Sequence, residues 1–136
     1  MTIFWVALAA VLAFGAYVRL APSDPARWHV PPKFAVDTDV EYGAARVIAD
    51  APGRLARLDA IARDWPHTQV LAGSVGVGKI TYITRTAFWG FPDYTTVKII
   101  DGKIVLWARL RFGRKDFGVN RERLGAWLAI LRAEEA

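Results

Sequence analysis

The most polar stretch of the chain runs from Arg111 to Arg123 and places five basic residues, two glycines and one aspartate within thirteen positions. Its aspartate, Asp116, forms a carboxylate pair with Asp93 if the fold brings the two together. Paired carboxylates can separate their pKa values and carry out acid–base chemistry, so Asp93, Asp116 and Arg111 are the candidates for a hydrolase-like reaction. The competing interpretation is structural, because Asp116 sits in a turn signal where it can accept bonds from backbone amides and pair with an arginine. The sequence favours the structural interpretation and leaves the question of an enzyme open.

The same stretch has the residue types needed to join the last strand to the last helix. Glycine permits backbone angles that other residues avoid, and asparagine is a favourable N-cap, so we expect Asn120 to begin the final helix. Asp116 would then link Arg111 on the strand to Arg123 on the helix. The residues assigned to this architectural motif are Arg111, Gly113, Asp116, Gly118, Asn120 and Arg123.

Three basic residues of the stretch have no architectural role in this scheme: Arg114, Lys115 and Arg121. Residues 98–132 carry a net charge of +6 and the whole chain carries +5, so positive charge is concentrated in the C-terminal part. A basic residue near an anionic membrane surface gains about 1 kcal/mol. We therefore predict that these three residues contact an anionic lipid or a partner protein, with a solvated basic face as the alternative.

Other kinds of site find little support in the sequence. The absence of cysteine excludes disulfides, thiol catalysis and thiolate metal sites. The two histidines, His29 and His67, have no second histidine three or four residues away, so no metal site is predicted. Gly73–Lys79 is similar to a phosphate-binding loop, but Ile80 stands where such a loop needs serine or threonine. It is interpreted as a glycine-rich connection between strands, and no cofactor, nucleotide or nucleic acid is expected to bind.

The first part of the chain is a candidate transmembrane helix. Residues 2–18 contain no charge, and seventeen helical residues reach about 25 Å, near the lower limit for crossing a bilayer. Trp5 and Tyr17 lie toward the two ends, where amphipathic aromatic residues favour the interface, and Arg19 can extend its guanidinium to the headgroups. Residues 1–21 are therefore predicted to be a retained anchor. A cleaved signal peptide is the alternative, although the basic segment that normally precedes its apolar run is missing.

The charges beside the anchor predict its orientation. Arg19, Arg27 and Lys33 follow the apolar run, whereas the residues before it carry only the α-amino group. Positive charge tends to stay on the cytoplasmic side, so we expect a bacterial inner-membrane protein with its C-terminal domain in the cytoplasm. Small residues such as Ala9 and Ala13 form a stripe on the helix that suits packing against another transmembrane helix.

The rest of the chain divides into a linking segment and a folded domain. Residues 22–36 contain four prolines and are predicted to form an extended tether. Residues 37–136 carry a helix signal after Asp50, then several strand signals, and Asp101–Gly102 suits a two-residue type I′ hairpin turn. With a last helix from Asn120, these signals predict an α+β domain. It would have a small antiparallel sheet of four or five strands with two helices packed on one face.

The motif residues resemble the signature of the domain-of-unknown-function 1499 family of bacteria and plastids, in which an Arg-x-Gly-x-x-Asp-x-Gly-x-Asn-x-x-Arg run enters the last helix. The resemblance covers roughly residues 28–133 and is carried by Phe91-Pro92-Asp93, Arg111-Phe112-Gly113 and Asp116-Phe117-Gly118-Val119-Asn120 with Arg123. The family usually has Arg-Ser-x-Ser before the shared arginine, where this chain has Trp107-Ala108-Arg109-Leu110. It also has a second aspartate where this chain has Tyr94. The resemblance implies a fold and a motif and assigns no reaction.

These features predict a small single-pass membrane protein that binds a partner, either as an accessory subunit of a membrane protein complex or at an anionic lipid surface. Two alternatives remain open. The first is an enzyme or small-molecule binder that uses Asp93, Asp116 and Arg111 in a cleft. The second is a lipid-binding module with an apolar cavity beneath residues 124–131 of the last helix.

Overall fold

The computed structural model describes residues 1–136 and contains four helices and six strands. In chain order these elements are α1 (Thr2–Leu20), α2 (Pro25–Trp28), β1 (Thr38–Val40), β2 (Gly43–Ala49), α3 (Arg54–Asp64), β3 (Thr68–Ser74), β4 (Lys79–Arg85), β5 (Pro92–Ile100), β6 (Lys103–Leu110) and α4 (Val119–Glu135). The strands form one antiparallel sheet, so the predicted α+β class with an N-terminal apolar helix is confirmed.

The sheet has the strand order β1-β2-β6-β5-β4-β3, and every neighbouring pair is antiparallel. Six strands exceed the four or five predicted from the sequence. The additional strand is β1, whose three residues pair with β2 at the sheet edge and are too few to show an alternating pattern. A short edge strand with a charged residue also limits pairing with other chains.

Two predicted strand connections are confirmed. Asp101 and Gly102 join β5 to β6, and their φ values of 50° and 75° are both positive, as a type I′ turn requires. The Gly73–Lys79 stretch closes the hairpin between β3 and β4. Its glycines therefore serve a turn between strands and do not open a helix.

Helices α3 and α4 cover one face of the sheet and enclose the core. Trp127 of α4 contacts Tyr82 of β4 with ring centroids 5.8 Å apart and Trp65 with ring centroids 6.5 Å apart. Leu124, Leu128 and Leu131 of α4 and residues of α3 belong to the same buried cluster as Ile80, Tyr82, Val97, Ile104, Leu106 and Ala108 of the sheet. Burial of one such side chain contributes about 1.5–3 kcal/mol. The buried side chains of α4, Leu124, Trp127, Leu128 and Leu131, therefore fill the space in which a helix-covered lipid cavity would lie.

The proline-rich segment, residues 22–36, lies along the opposite face of the sheet. Trp28 stacks on Tyr94 of β5 with ring centroids 4.0 Å apart and an interplanar angle of 13°. Phe34 contacts Trp107 of β6 with ring centroids 5.7 Å apart. The segment includes the short helix α2 and is held by these aromatic contacts, so its path differs from the extended tether predicted from its prolines.

Helix α1 is apolar, 19 residues long and mostly exposed. At about 1.5 Å per residue it is about 28 Å long, close to the thickness of a bilayer core. Its last two turns contact the domain: Val18 is buried, and Phe14 and Tyr17 contact Phe112 with ring centroids 6.4 and 5.9 Å apart. A helix of this length and composition satisfies the criterion for a membrane span, and a signal sequence satisfies the same criterion. Membrane crossing therefore stays a prediction.

The strand register shows which loops lie beside α1. The β4–β5 loop (86–91) and the β6–α4 loop (111–118) leave the same end of the sheet, because the start of β5 pairs with the ends of β4 and β6. Phe14 of α1 contacts one aromatic residue in each loop, so we call this the anchor end. The turns at 75–78 and 101–102 lie at the opposite end of the sheet.

Candidate functional site

Four side chains of the motif region form a continuous hydrogen-bond network at the anchor end. Arg123 of α4 donates to Asp93 of β5 at 3.2 Å and to Oδ1 of Asn120 at 2.6 Å. Asn120 donates from Nδ2 to Oδ2 of Asp116 at 2.9 Å. Because Asp93, Asn120 and Arg123 are buried, these bonds lie in surroundings of low dielectric constant, which strengthens them. The network joins α4 to the sheet and to the β6–α4 loop.

Asp116 caps α4 in place of Asn120. Its carboxylate accepts hydrogen bonds from the backbone N–H groups of Gly118 at 2.8 Å and Asn120 at 3.2 Å, which satisfies donors that a helix start otherwise leaves free. The helix begins at Val119, so the predicted N-cap role of Asn120 is wrong: its side chain is fully buried and bonds to Arg123. Gly118 has a φ of 82°, a conformation that favours glycine. A side-chain cap contributes about 1 kcal/mol.

Arg111 is outside this network, which corrects the predicted link between it and Asp116. Its guanidinium donates to the carbonyl oxygen of Pro22 and to the hydroxyl of Tyr94, each at 3.0 Å. Adjacent side chains of a strand point to opposite faces, and Tyr94 follows Asp93 in β5. Arg111 and Asp93 are therefore used on different faces of the sheet, and the structure does not bring them together with Asp116 in one catalytic arrangement.

Asp93 is a buried carboxyl group that accepts a hydrogen bond from Arg123 and so joins β5 to α4. Burial raises its pKa, and attraction to Arg123 together with the hydrogen bond from Arg123 opposes that rise. A shallow cleft of about 240 Å³ lies beside Asp116, but Asp93 is not among the residues that line it. The two carboxyl groups thus share a hydrogen-bond network through Asn120 and Arg123 without sharing a cleft for a substrate.

Replacement of Asp93 by asparagine is expected to change the pH dependence of stability. The pKa of Asp93 is higher in the folded than in the unfolded state, so the stability that this group contributes is present below about pH 4 and is lost as the pH rises through the folded-state value. Asparagine undergoes no such loss. The free energy of unfolding of Asp93→Asn, relative to the wild type, should therefore increase between about pH 4 and pH 7. Urea unfolding across this range measures it, and a constant or decreasing difference contradicts the assignment.

The three basic residues predicted to bind a partner, Arg114, Lys115 and Arg121, are exposed at the anchor end. None of them forms an ion pair with a carboxylate within 4.0 Å. Lys115 and Arg121 line the cleft beside Asp116 together with acidic residues of β1 and its turn. Gly113 in the same loop has a φ of 98°, and apart from its chain neighbours no atom lies within 4 Å of the position that a Cβ would take, so its role there is conformational. The charges of the three residues remain available to an external anion.

Aromatic side chains surround the place where α1 meets the domain. Phe88 in the β4–β5 loop is 74% exposed, and Phe117 in the β6–α4 loop is 88% exposed. Phe91 and Phe112 contact each other with ring centroids 6.2 Å apart. Exposed apolar side chains grouped in one place are typical of an interaction surface. The sequence shows these residues, but only the strand register brings the two loops together.

The residues predicted to lie at the membrane interface are found at both ends of α1. Trp5 is exposed near the N-terminus, and Tyr17 is exposed near the C-terminus while it contacts Phe112. Arg19 donates a hydrogen bond to the backbone carbonyl of Phe88. The C-terminal end of α1 is therefore fixed to the β4–β5 loop by a polar contact as well as by aromatic ones.

A second polar network, centred on Arg109, lies beneath residues 22–36. Arg109 of β6 is only 3% exposed, and its guanidinium donates to the carbonyl oxygen of Trp28 at 2.5 Å and to Oγ1 of Thr96 at 2.9 Å. The same guanidinium lies 4.1 Å from the ring centroid of Trp107. Burial lowers the pKa of Arg109 to about 10, so the side chain is still charged at neutral pH.

This second network continues from β6 across β5 and β4 to His29. Thr96 shares a hydrogen bond of 2.8 Å with Thr81, and Thr81 shares another of 2.8 Å with Nδ1 of His29. Burial, with a smaller effect of Lys79, lowers the pKa of His29. No local sequence pattern indicates that Arg109 is buried. Trp28, which lies over Arg109, is 81 positions away in sequence, and the proline-rich segment carries no signal for that contact.

The fold and these networks define an α+β domain built on a six-stranded antiparallel sheet and joined directly to an N-terminal apolar helix. No group of three or more His, Cys, Asp or Glu side chains is arranged to hold a metal ion. No family model, curated protein or solved structure matches the chain in comparisons with known proteins. The resemblance to the domain-of-unknown-function 1499 family therefore stays a prediction based on the motif residues.

Proposed function

We propose that this protein is a single-pass, membrane-anchored accessory protein whose anchor end docks on the anionic surface of the membrane. The observation that carries the proposal is the position of Arg114, Lys115 and Arg121. They are exposed and have no carboxylate partner, and they lie at the end of the sheet where α1 joins the domain. With α1 across a bilayer, that end is the part of the domain nearest to the headgroups.

The expected strength of this docking is modest. Each basic residue close to an anionic surface contributes about 1 kcal/mol, so three residues shift the equilibrium between docked and undocked domain by about 100-fold. Exposed Phe117, between Lys115 and Arg121 in the sequence, adds an aromatic side chain of the kind that favours the interface. Because the charges are exposed, the effect should weaken with rising salt.

The proposal includes a bacterial inner membrane with the domain on the cytoplasmic side. The basis is the positive charge of Arg19, Arg27 and Lys33 after the apolar helix. Protease treatment of oriented vesicles tests this part by itself. Digestion of the domain only in inside-out vesicles agrees with the assignment, and digestion only from the periplasmic side contradicts it.

The docking is tested with the full chain in lipid nanodiscs. The chain contains no cysteine, so Phe117→Cys provides a unique site for an environment-sensitive fluorophore at the anchor end. Val77→Cys is the matched control, since Val77 is 72% exposed and lies in the turn at the opposite end of the sheet. Emission of the label at position 117 should shift to the blue in nanodiscs that contain phosphatidylglycerol, relative to phosphatidylcholine alone.

Charge reversal then identifies the residues responsible. In the Phe117→Cys background, the triple change Arg114→Glu, Lys115→Glu and Arg121→Glu should abolish the shift, and the melting temperature should remain near that of the parent. A shift that survives charge reversal, or one that occurs equally at position 77, contradicts docking through these residues.

A second candidate is an accessory subunit that packs against another membrane protein through α1. Its support is the small-residue stripe of Ala9, Ala13 and Ala16, all of which are exposed and allow close approach of a second helix. Native purification in mild detergent tests it. A stable co-migrating partner supports the candidate, and recovery of free protein alone counts against it.

A further inference from the structure

We infer that the junction between α1 and the β4–β5 loop binds one anionic phospholipid, with the phosphate at Arg19 and Arg85 and an acyl chain along α1. The inference rests on the proposed function, since it requires α1 to lie in a bilayer, and it adds a specific ligand site to that proposal. Two adjoining clefts of different polarity provide the site.

The first cleft is polar and has a volume of about 410 Å³. It lies where the end of α1 meets the strands, and its lining includes Arg19, Arg85, His67 and Gln69. No aspartate or glutamate lines it, and neither arginine forms an ion pair. The cleft therefore presents positive charge without an internal counterion.

The two arginines are held in place yet keep free donors. Nη1 of Arg85 donates to the carbonyl oxygens of Gly90 at 2.9 Å and Val18 at 3.3 Å, while its Nε and Nη2 form no hydrogen bond within the protein. Arg19 uses Nη2 for the Phe88 carbonyl and also keeps its other nitrogens free. Guanidinium groups bind phosphate oxygens through paired N–H donors, and side chains fixed in advance lose less entropy on binding.

The second cleft is apolar and has a volume of about 470 Å³. One wall is α1 at Val11, Leu12 and Ala16, and the other is the β4–β5 loop at Phe88 and Trp89. The groove lies beside the charge-free part of α1 and therefore within the depth of the proposed membrane span. Its lining on α1 extends from Val11 to Arg19, a stretch along the helix that suits an acyl chain.

The two clefts share Arg19 and Ala87 in their linings, so they adjoin each other. A ligand that occupies both must have a negative charge at one end and a long apolar part at the other, which is the chemistry of a phospholipid. The polar cleft has no carboxylate to pair with the ammonium group of a zwitterionic headgroup. Phosphatidylglycerol, with its single net negative charge, should therefore bind better than phosphatidylcholine.

The experiment is native mass spectrometry of the full chain in detergent micelles that contain equal amounts of phosphatidylglycerol and phosphatidylcholine. The wild type should retain one phosphatidylglycerol, at least fivefold in excess over phosphatidylcholine. The double variant Arg19→Gln, Arg85→Gln should lose at least fivefold of that adduct. Lys98→Gln, Lys103→Gln is the matched control, because it also removes two positive charges but away from the anchor end.

A second variant tests the apolar groove and leaves every charge in place. Ala16→Phe fills the groove from the side of α1 and should also lose the lipid, with an unchanged melting temperature by circular dichroism. If the double arginine variant fails to fold, Ala16→Phe still decides the matter. Retention of phosphatidylglycerol by a folded Ala16→Phe protein overturns the proposed path of the acyl chain and with it the site.

Other outcomes distinguish a lipid phosphate from free phosphate, and failure of the lipid site from failure of the proposed surface docking. Displacement of the lipid by millimolar inorganic phosphate would identify a soluble-phosphate site and overturn the lipid assignment, as would equal retention of phosphatidylcholine. If the arginine changes leave lipid retention unaffected, the lipid does not bind at Arg19 and Arg85. The nanodisc measurement at position 117 tests separately whether the domain docks on the membrane surface. An undocked domain with a retained lipid refutes only the surface docking.

Discussion

Replacement of Arg109 by alanine is expected to lower the free energy of unfolding by about 3 kcal/mol. The guanidinium of Arg109 is buried between residues 22–36 and the sheet, where it donates to the carbonyl oxygen of Trp28 and to Oγ1 of Thr96. Alanine removes both of these hydrogen bonds and opens a void under Trp28, whose carbonyl oxygen keeps only the hydrogen bond from Oγ1 of Thr96 at 3.2 Å. Hydrogen bonds that involve a charged group contribute about 1.5–3 kcal/mol each. Urea unfolding of the full chain in detergent measures the loss.

Two further variants separate the planar donor group from the charge. Arg109→Lys keeps the charge, but an ammonium group is a single point of donation and cannot span both acceptors as a guanidinium does. We expect it to recover only part of the stability. Arg114→Ala, at an exposed position without an ion pair, should change stability by less than about 0.5 kcal/mol. If Arg109→Ala behaves like Arg114→Ala, the network does not hold the segment to the sheet.

The consequence of this network for function is the fixed direction of α1. Residues 22–36 follow α1 directly, and the contacts of Trp28 with Tyr94 and Arg109 hold that segment on the sheet. The hydrogen bond from Arg85 to the carbonyl oxygen of Val18 fixes the end of α1 itself. With α1 across a bilayer, as proposed, an attachment of this kind would present a constant face of the domain to the membrane, which a flexible tether would not do.

Those features of the fold that depend on neighbours in sequence could be predicted. The alternation of Ile104, Leu106 and Ala108 in β6 predicts one buried face, and these residues are fully buried. The Asp-Gly pair at 101–102 predicts a tight hairpin, because both positions accept positive φ at low cost. The apolar spacing in α3 and α4 likewise predicts which helix faces reach the core.

Features that depend on distant contacts could not be predicted from local pattern. Arg109 and Trp28 are 81 positions apart, and no local propensity indicates that a proline-rich segment covers an arginine in β6. The same holds for Arg111, which bonds to Pro22 and Tyr94 in place of Asp116. Asn120 illustrates a different limit. As an N-cap it would stabilise the protein less than it does through its buried hydrogen bond with Arg123, and Asp116 already supplies the cap.

The anchor end also shows why charge alone does not locate a binding surface. Arg109 and Arg123 belong to the basic C-terminal part of the sequence, but both are buried and hydrogen-bonded inside the domain. Exposed basic residues occur in several places, and Arg114, Lys115 and Arg121 are the ones grouped at the anchor end. The fold therefore buries part of the positive charge in structural roles and leaves an exposed part, of which one cluster lies at the anchor end.

The second large effect is expected at Gly43, where alanine should lower the free energy of unfolding by about 3 kcal/mol. Gly43 begins β2 and faces β6 closely: a Cβ atom there would lie 2.9 Å from Cα of Arg109 and nearer still to the carbonyl oxygen of Ala108. These are backbone atoms of a paired strand, so they cannot move without breaking the pairing. Urea unfolding measures the change in stability.

Gly125→Ala is the matched control for this substitution. Gly125 lies inside α4, and apart from the backbone of its own helix turn no atom lies within 4 Å of the position that its Cβ would take. Alanine should stabilise the protein there by about 0.5–1 kcal/mol, because it favours the helix and restricts the unfolded chain. Opposite signs for the two glycines are the expected result. Equal effects would mean that the close approach of β2 and β6 is not what constrains Gly43.

The effect of Gly43→Ala should extend to the proposed docking surface. The turn before Gly43 accepts hydrogen bonds from two residues of the β6–α4 region: Leu110 donates to the carbonyl of Tyr42 and Asp116 to that of Glu41, each at 3.0 Å. A displaced β2 moves this turn and with it the loop that carries Lys115. The fluorescence shift at position 117 should therefore decrease in Gly43→Ala and persist in Gly125→Ala. A normal shift in a destabilised Gly43→Ala protein would separate the loop geometry from the β2–β6 pairing.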